Sequence, residues 1–476
     1  MSDLGDAQKR NHTVDLTSGS MFVQIITFVI PVILGHLLQT LYSSVDALVV
    51  GNLINKDALA AISVSDPIAN MIVGFFTGMS VGATVVVSRQ FGKNKQEGLG
   101  KIVTAVFTFA VLLGAVLSVV CVIASDWLLL LVSAPAETYR EASVYLRIYL
   151  AGNMFTVIYN ICAGMLRAVG NSRSPFRILL ITSTLNIVLD LAFITVLPLG
   201  IAGVALATVF SQGISVVLAF MELRKLSNAV GFSPRSMKEN RAVIKDVLSI
   251  GLPTGIQSSL VSMAKVFLMR YVSDYGAAAL AGVGVAHRLD KFVSINCESF
   301  GTAVTTFVSQ NIGAGNRQRV KKSIQLCLLL SVAVTAAVGV IVYILAPQCV
   351  MLFNKEAEVV QVGVAMMRVL IPFYFLIAVR QIQQGVLRSY HKVKVPMVIS
   401  VIGLLAVRHL YLLIMMNRNP AIEHIFYSYP ISWAATVILT YVYIAYLLYR
   451  RGKKQNGSEQ ASNNLSTVSG NQSGNG

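Results

Sequence analysis

Apolar residues run in long unbroken stretches along this 476-residue chain, separated by short polar segments. Twelve stretches can be drawn, at roughly 21–50, 58–88, 101–124, 144–166, 177–197, 200–223, 246–272, 279–309, 323–346, 360–386, 395–416 and 428–449. A helix needs about 20 apolar residues to cross the hydrocarbon of a bilayer. Strands of a membrane barrel would alternate over about ten residues, and these stretches do not. Inside lipid only helices and closed barrels satisfy their own backbone, so the pattern predicts an all-α membrane protein with twelve transmembrane helices.

Composition agrees. The chain is 55% hydrophobic and 12% charged, with a mean hydropathy of +0.69. An ordinary soluble domain carries about 25% charged residues, so a soluble enzyme, a disordered chain and a secreted disulfide scaffold are excluded. Cys121, Cys162, Cys297, Cys327 and Cys349 are scattered, form no CxxC pair, and read as small apolar residues. The first twenty residues are polar, and the apolar stretch after them has no cleavage-site pattern, so it reads as a retained helix and not a signal peptide.

The net charge of +17 would suit nucleic acid only if the basic residues shared one soluble surface. Instead they sort by loop. Alternate loops and the two ends hold 26 of them, from Lys9 and Arg10 to Lys453 and Lys454. The opposite loops hold four: Lys56, Arg140, Lys355 and Arg418. This asymmetry places both termini and the even-numbered loops in the cytoplasm and removes the nucleic-acid reading. The tail beyond about 455 is Asn, Ser, Gly and Gln, and no fold is expected for it.

The chain also repeats. "ALAAISVS" from Ala58 resembles "ALAGVGVA" from Ala279, an offset of 221. The same offset relates "ATVVVSRQFG", ending at Gly92, to "VTTFVSQNIG", ending at Gly313, and "GMLRAVGNSRSP" to "GVLRSYHKVKVP", ending at Pro396. Pro31 and Pro253 correspond at 222. Six is an even number of crossings, so the halves are parallel six-helix repeats, a common transporter plan with the substrate path between them. The expected organisation is a cytoplasmic N-terminus (1–20), an N-lobe (21–223), a cytoplasmic linker (224–245), a C-lobe (246–450) and a disordered tail (451–476).

An ionisable side chain inside a span is costly and is a functional candidate by default. Asp46 lies late in the first helix. Asp190 lies in the fifth, with Asn186 one turn earlier on the same face. Asp190 precedes Leu199 by nine residues and Thr208 follows it by nine, so an antiparallel hairpin sets these two at one depth. Asp46, Asn186, Asp190 and Thr208 thus converge as the candidate cation site. Their oxygens could hold Na⁺, or burial could let a carboxyl take a proton. Pro31, inside the first helix, is a candidate hinge.

The second half lacks this set: Val407 and Tyr411 align with Asn186 and Asp190. Its spans carry Lys265, Arg270, His287, Arg288, Lys291, Glu298, Arg368, Arg380 and Arg408, which could pair with one another or line a water-filled cavity. Candidate cavity residues are Gln39, Tyr42, Asn153, Tyr159, Asn160, Gln212, Gln257, Lys265, His287, Arg380 and Gln384. There is no HExxH, GxSxG, P-loop or dinucleotide fingerprint, so neither an enzyme nor ATP-driven transport is expected, and no cofactor.

"VDALVVGNL" from Val45, "GMLRAVGNSRSP" from Gly164, "NIVLDLAFI" from Asn186 and "GIAGVALATVFSQ" from Gly200 resemble the multidrug and toxic compound extrusion (MATE) family. The resemblance spans roughly residues 20–450. It implies export of organic cations and amphipathic drugs against inward H⁺ or Na⁺, by two lobes alternating between outward- and inward-open states. In the DinF-like branch the cation site matches Asp46, Asn186, Asp190 and Thr208 of this chain. The acids that the NorM-like branch carries in helices 7 and 10 are absent from "SSLVSMAKV" and "FLIAVRQIQQG" here, which favours coupling through the N-lobe. The alternative is a flippase for lipid-linked oligosaccharide or polysaccharide of the same superfamily, which the second-half basic residues would suit. The expected setting is a bacterial plasma membrane, with a monomeric chain, the lipid bilayer and small-molecule drugs as partners, and no nucleic acid.

Overall fold

The computed structural model describes residues 14–54, 56–93, 96–132, 135–227 and 230–472. Among these, the chain forms twelve long helical units. The first six are α1 (Met21–Leu53), α2 (Lys56–Gly92), α3 (Gln96–Ile123), α4 (Ala136–Ala151 with Asn153–Ala168), α5 (Arg173–Val196) and α6 (Gly200–Leu226). The second six are α7 (Arg241–Ser273), α8 (Ala277–Gly313), α9 (Arg317–Ile344), α10 (Ala357–Ser389), α11 (Lys394–Arg418) and α12 (Ile422–Gln472). The expected all-α, twelve-helix, two-lobe membrane fold is the observed one.

Ten of these helices, or eleven counting the bent α4, are long and apolar enough to cross a membrane on composition alone. The exception is α8, which carries Arg288, Asp290, Lys291 and Glu298. α1, α2, α9 and α10 pack on it, while Arg288, Lys291 and Glu298 keep an exposed face of the helix. Its last third buries Ser299, Thr305, Thr306, Ser309, Gln310 and Asn311 against those neighbours. A helix this polar can cross lipid only when other helices cover it.

Four spans are irregular among the described residues, α10 by a 3-10 segment at Ile371–Phe373. α4 bends by 44° at Gly152. A Cβ on Gly152 would stand 2.3 Å from a Val209 methyl of α6, so the bend and the close approach share one residue. α5 ends in a π-helical segment, Ala192–Val196, and α11 contains another, Ile402–Val407. Each shifts the helical register beside a candidate functional residue, Asp190 in α5 and Arg408 in α11.

The two halves exchange their first helices. The lower part of α1 packs on the second half: Ile25, Phe28, Val29 and Val32 share a core with Phe300, Val304, Phe307 and Val308 of α8. The Phe28 and Phe307 rings meet edge to face, 6.1 Å apart, and His36 Nδ1 lies 3.3 Å from Ser299 Oγ. Reciprocally, Val247 and Ile250 of α7 belong to the first-half core. α7 lies on α2 through glycine: a Cβ on Gly78 would come within 2.2 Å of the Gly255 nitrogen, and one on Gly82 within 2.3 Å of the Val247 carbonyl oxygen. Small residues one turn apart let helix backbones touch where lipid supplies no hydrophobic drive. The simple lobe boundaries expected from the sequence therefore need one refinement: α1 and α7 each belong to both cores.

At the face bearing the basic loops, the contact between halves obeys the repeat. Arg89 donates to the Ser389 carbonyl, and Gln310 donates to the Ala168 carbonyl at 2.7 Å. Both donors and both acceptors are 221 residues apart. Glycines at the ends of α2 and α8 complete the crossing, Gly92 under the Gln310 carbonyl and Gly313 under the Arg89 carbonyl. From there the recorded cross-half contacts continue to mid-helix, where Ser259 Oγ donates to the Met71 carbonyl at 2.9 Å.

The segment before α1 reinforces this face. Leu16 is fully buried, its N–H donates to Gln310 Oε1 and its carbonyl accepts from Asn311. Arg319 holds the Leu16, Ser18 and Gly19 carbonyls at 2.7–3.0 Å. The linker between halves contains a short helix, Pro234–Glu239, capped by Ser233 and tied to α3 by bonds to Thr108 and Lys101. Past the last span, where no fold was expected, the backbone of α12 stays helical to Gln472. Propagating an existing helix needs no new nucleus, and this polar tail inherits one from the span.

Gly170 and His391 close the equivalent α4–α5 and α10–α11 turns, with left-handed φ of 81° and 58°. At Gly170 a side chain is barred outright, since a Cβ would lie 2.2 Å from the Val14 carbonyl oxygen. His391 tolerates the strain. Burial and the nearby Arg89 hold its imidazole below the usual histidine range, against a weaker pull from Asp246. His391→Gly is expected to stabilise the protein by about 1 kcal/mol by relieving the left-handed strain, read as a higher thermal midpoint of the purified protein.

Candidate functional site

Of the predicted cation residues, Asp46 and Asp190 face each other in the first half. α1 packs on α5, and α5 on α6, so the helices that carry the four residues are neighbours. Asp190, Asn186 and Thr208 are buried, with exposures of 1%, 2% and 6%. The Asp46 and Asp190 carboxyls face each other closely enough for a hydrogen bond once one is protonated. Neither Asp190 oxygen has a donor, nor does Asp46 Oδ1, and both polar atoms of the Asn186 amide are unpartnered. Thr208 spends its proton on the Val204 carbonyl at 3.1 Å and turns its lone pairs outward.

Unpartnered buried polar atoms are rare in folded proteins and each needs a reason. On the neighbouring helices, both amide atoms of Asn153 on α4 and the Ser211 and Gln212 side-chain oxygens on α6 also lack partners. Two carboxylates facing each other in a low-dielectric span repel strongly, so the pair is suited to take one monovalent cation between them, a proton or Na⁺. The donor chemistry fits either: two carboxyls, an amide oxygen and a hydroxyl. No group of three or more His, Cys, Asp or Glu side chains gathers among the described residues, so a multivalent metal cage is not what these residues build.

Other predicted cavity residues divide. Tyr42 is half-buried between Asp46 and Tyr149, and Gln39 is exposed. Tyr159 turns away from any cavity: its hydroxyl donates to the Pro175 carbonyl at 3.2 Å and ties α4 to the start of α5. Asn160 donates to Thr156, one turn back on its own helix. Gln257 and Gln384 both donate to Ser400 Oγ, at 2.9 and 3.1 Å, and knit α7, α10 and α11 together. These are backbone and interhelix bonds that composition cannot distinguish from cavity positions. The Lys265 side chain lies outside the described residues. Pro31 sits where α1 leaves the second-half core, beside Val32.

Two features escaped the sequence reading. Asp66, exposed on α2, faces Asp46 on one side and Lys291 and Arg288 of the other half on the other. Its Ser-Asp-Pro setting reads as a helix-start signal, which hid it. The second half also builds a polar network around aromatic rings. His287 Nε2 lies 2.5 Å from the Tyr429 hydroxyl, and the Tyr374 hydroxyl donates to Asp290 at 2.8 Å. The Arg408 guanidinium lies 4.3 Å from the Tyr429 ring centre. Arg380 leaves its Nε without an acceptor.

Twelve helices in two repeats, joined at one face, with two facing carboxyls inside the spans, have the plan of a membrane transporter. Residues 31–192 and 253–412 match the MatE family, one block in each repeat, and the chain belongs to that family of multidrug and toxic compound extrusion (MATE) transporters. It is 29% identical over 396 residues to "Probable multidrug resistance protein YpnP" of Bacillus subtilis, covering 83% of this chain and 88% of that one. It is 23% identical to "Multidrug export protein MepA" of Staphylococcus haemolyticus, over 78% of this chain and 82% of that one. Among solved structures, it superposes with a TM-score of 0.84 and 23% identity on one described as the "Outward-facing conformation of a multidrug resistance MATE family transporter of the MOP superfamily", covering 93% of this chain and 99% of that one. That likeness bears on the fold.

Proposed function

We propose that this chain is a cation-coupled exporter that moves organic cations or amphipathic drugs out of the cell in exchange for H⁺ or Na⁺. The observation that carries the reading is the Asp46–Asp190 pair, two facing carboxyls with unpartnered oxygens inside a span. Its position on α1 supplies a mechanism. The upper part of α1 carries Asp46, and the lower part is held by the second-half core, with Pro31 between them. A bound cation neutralises the pair and lets α1 rest against α5. Loss of the cation restores the repulsion and drives α1 away. Because α1 is shared, that local charge change biases the two halves between their arrangements. The names of the relatives YpnP and MepA support drug export as the task.

In this reading the basic face and both termini are cytoplasmic, the membrane is a bacterial plasma membrane, the transporter works as a monomer, and it performs no enzymatic chemistry. The face joined by Arg89 and Gln310 is then the inner one. The test is export of a fluorescent organic cation from proteoliposomes with a pH gradient and a Na⁺ gradient imposed separately. One of the two gradients is expected to drive accumulation. Equal flux with neither gradient would overturn coupling. Movement of a lipid-linked oligosaccharide, with no response to either gradient, would favour the flippase.

A further inference from the structure

We propose that the second half carries a subsite for an anionic group, a carboxylate or phosphate borne on an amphipathic molecule, centred on the Arg408 guanidinium. The proposal goes beyond the cation-coupling reading and stands whichever ion drives transport.

Arg408 lies inside span α11 and is 4% exposed. A guanidinium presents five donors in a planar fork that matches a carboxylate or phosphate. Here one protein oxygen answers it: Ser432 Oγ, 3.3 Å from Nε and 2.7 Å from Nη2. The Tyr429 ring supports one face, 4.3 Å from centroid to Cζ. No ion pair among the described residues involves Arg408. Asp290, the carboxylate that faces it, already accepts the Tyr374 hydroxyl at 2.8 Å.

Arg408 is also not alone. Arg380 stands close enough to repel it, and Arg388 close enough to repel Arg380. Arg380 Nε has no acceptor, and Arg388 Nη2 reaches only Gln384 Oε1, at 3.3 Å. Glu298 faces Arg380 and Arg388, as Asp290 faces Arg380 and Arg408, so three arginines share two carboxylates. A buried cation row short of anions is unfavourable, and intramembrane charges that persist mark ligand paths.

The backbone is arranged to deliver this group. The π-helical segment of α11 ends at Val407, and Arg408 is the next residue. Gly403 lets α11 close on α12, since a Cβ there would meet Thr436 Oγ1 at 2.1 Å. Tyr429 lies against the guanidinium, Trp433 packs on Tyr429 at 6.0 Å, and Tyr374 stacks on Trp433 at 5.8 Å, so an aromatic row runs on from Arg408. At the repeat offset Arg408 falls against Ile187 and Tyr429 against Thr208, so the two halves place opposite charge preferences in related positions.

Trp433 makes the proposal measurable. The chain has two tryptophans, and Trp127→Phe leaves Trp433 as the single reporter. In phosphatidylcholine nanodiscs, phenyl phosphate is expected to change Trp433 fluorescence saturably. Arg408→Gln should weaken that binding by about tenfold or more, with Arg408→Lys in between, because a fork is replaced by a neutral amide or a point charge. Asp190→Asn should leave the titration unchanged, which separates failure here from failure of the cation-coupling reading. Repeating the titration with phosphatidylglycerol in the nanodiscs identifies the source: competition assigns the subsite to a lipid headgroup, and its absence to a free amphipathic anion. No saturable change in either lipid would overturn the proposal, as would equal affinity in the wild type and the lysine variant, which serves alone if Arg408→Gln does not fold.

Discussion

Asp190→Asn is expected to abolish cation-driven export while leaving the protein folded, and Asp46→Asn to do the same. Each substitution removes one carboxylate of the facing pair, and with it the charge change proposed to move α1. Coupling between two sites typically amounts to about 1–3 kcal/mol, or roughly 5–150-fold, so gradient-driven accumulation should fall by at least the lower end of that range. Stability should move the other way. An asparagine at 190 can donate to the remaining carboxylate, replacing two repelling acceptors by a donor and an acceptor at a buried site. Proteoliposome flux and the thermal midpoint therefore separate the coupling role from a structural one. Undiminished gradient-driven export by both variants would end the proposed mechanism, and a collapse in stability would assign the pair to the fold.

The second large effect is expected at Gly78. Its missing Cβ would lie 2.2 Å from the Gly255 nitrogen and 2.6 Å from the Thr254 carbonyl carbon. Both are backbone atoms on a facing helix, so no rotamer can relieve the clash. Gly78→Leu must separate α2 from α7, the most extensive contact between the halves, at a cost of about 3 kcal/mol or more. Poor yield and a lowered thermal midpoint are expected. Gly284→Ala serves as the control, since a Cβ there meets nothing within 4 Å. If Gly78→Leu melted with the wild type, the close crossing described above would be wrong.

Much of this architecture could be read from the chain because lipid simplifies the code. Twelve apolar runs report twelve spans, and a constant offset reports the repeat. The meeting of Asp46 with Asp190 follows from two acids placed in neighbouring spans. Asn186 and Asp190 are one turn apart, and equal distances from the α5–α6 turn set Asp190 level with Thr208. What stayed hidden depends on partners. Nothing in the apolar pattern of residues 21–35 says that they pack against α8, since every face of such a helix is greasy. The bend at Gly152 and the π segments arise from neighbouring helices. Tyr159, Asn160, Gln257 and Gln384 look like cavity residues until their hydrogen bonds to backbone or to Ser400 are seen. Arg408 stood out as a charge in a span, but its aromatic setting comes from α12, twenty-one residues further on.

The exchange of α1 and α7 has a topological consequence. Each six-helix unit lends its opening helix to the other, with Pro31 and Pro253 at matching places in the two exchanged segments. The opening helices thus bridge the two units, each packed in its own half and against the other. The first-half core takes in Val247 and Ile250 of α7, and α1 shares a further core with α8. Any rocking motion must therefore keep both loans in place, so the exchanged helices act as tethers that set how far the units can part.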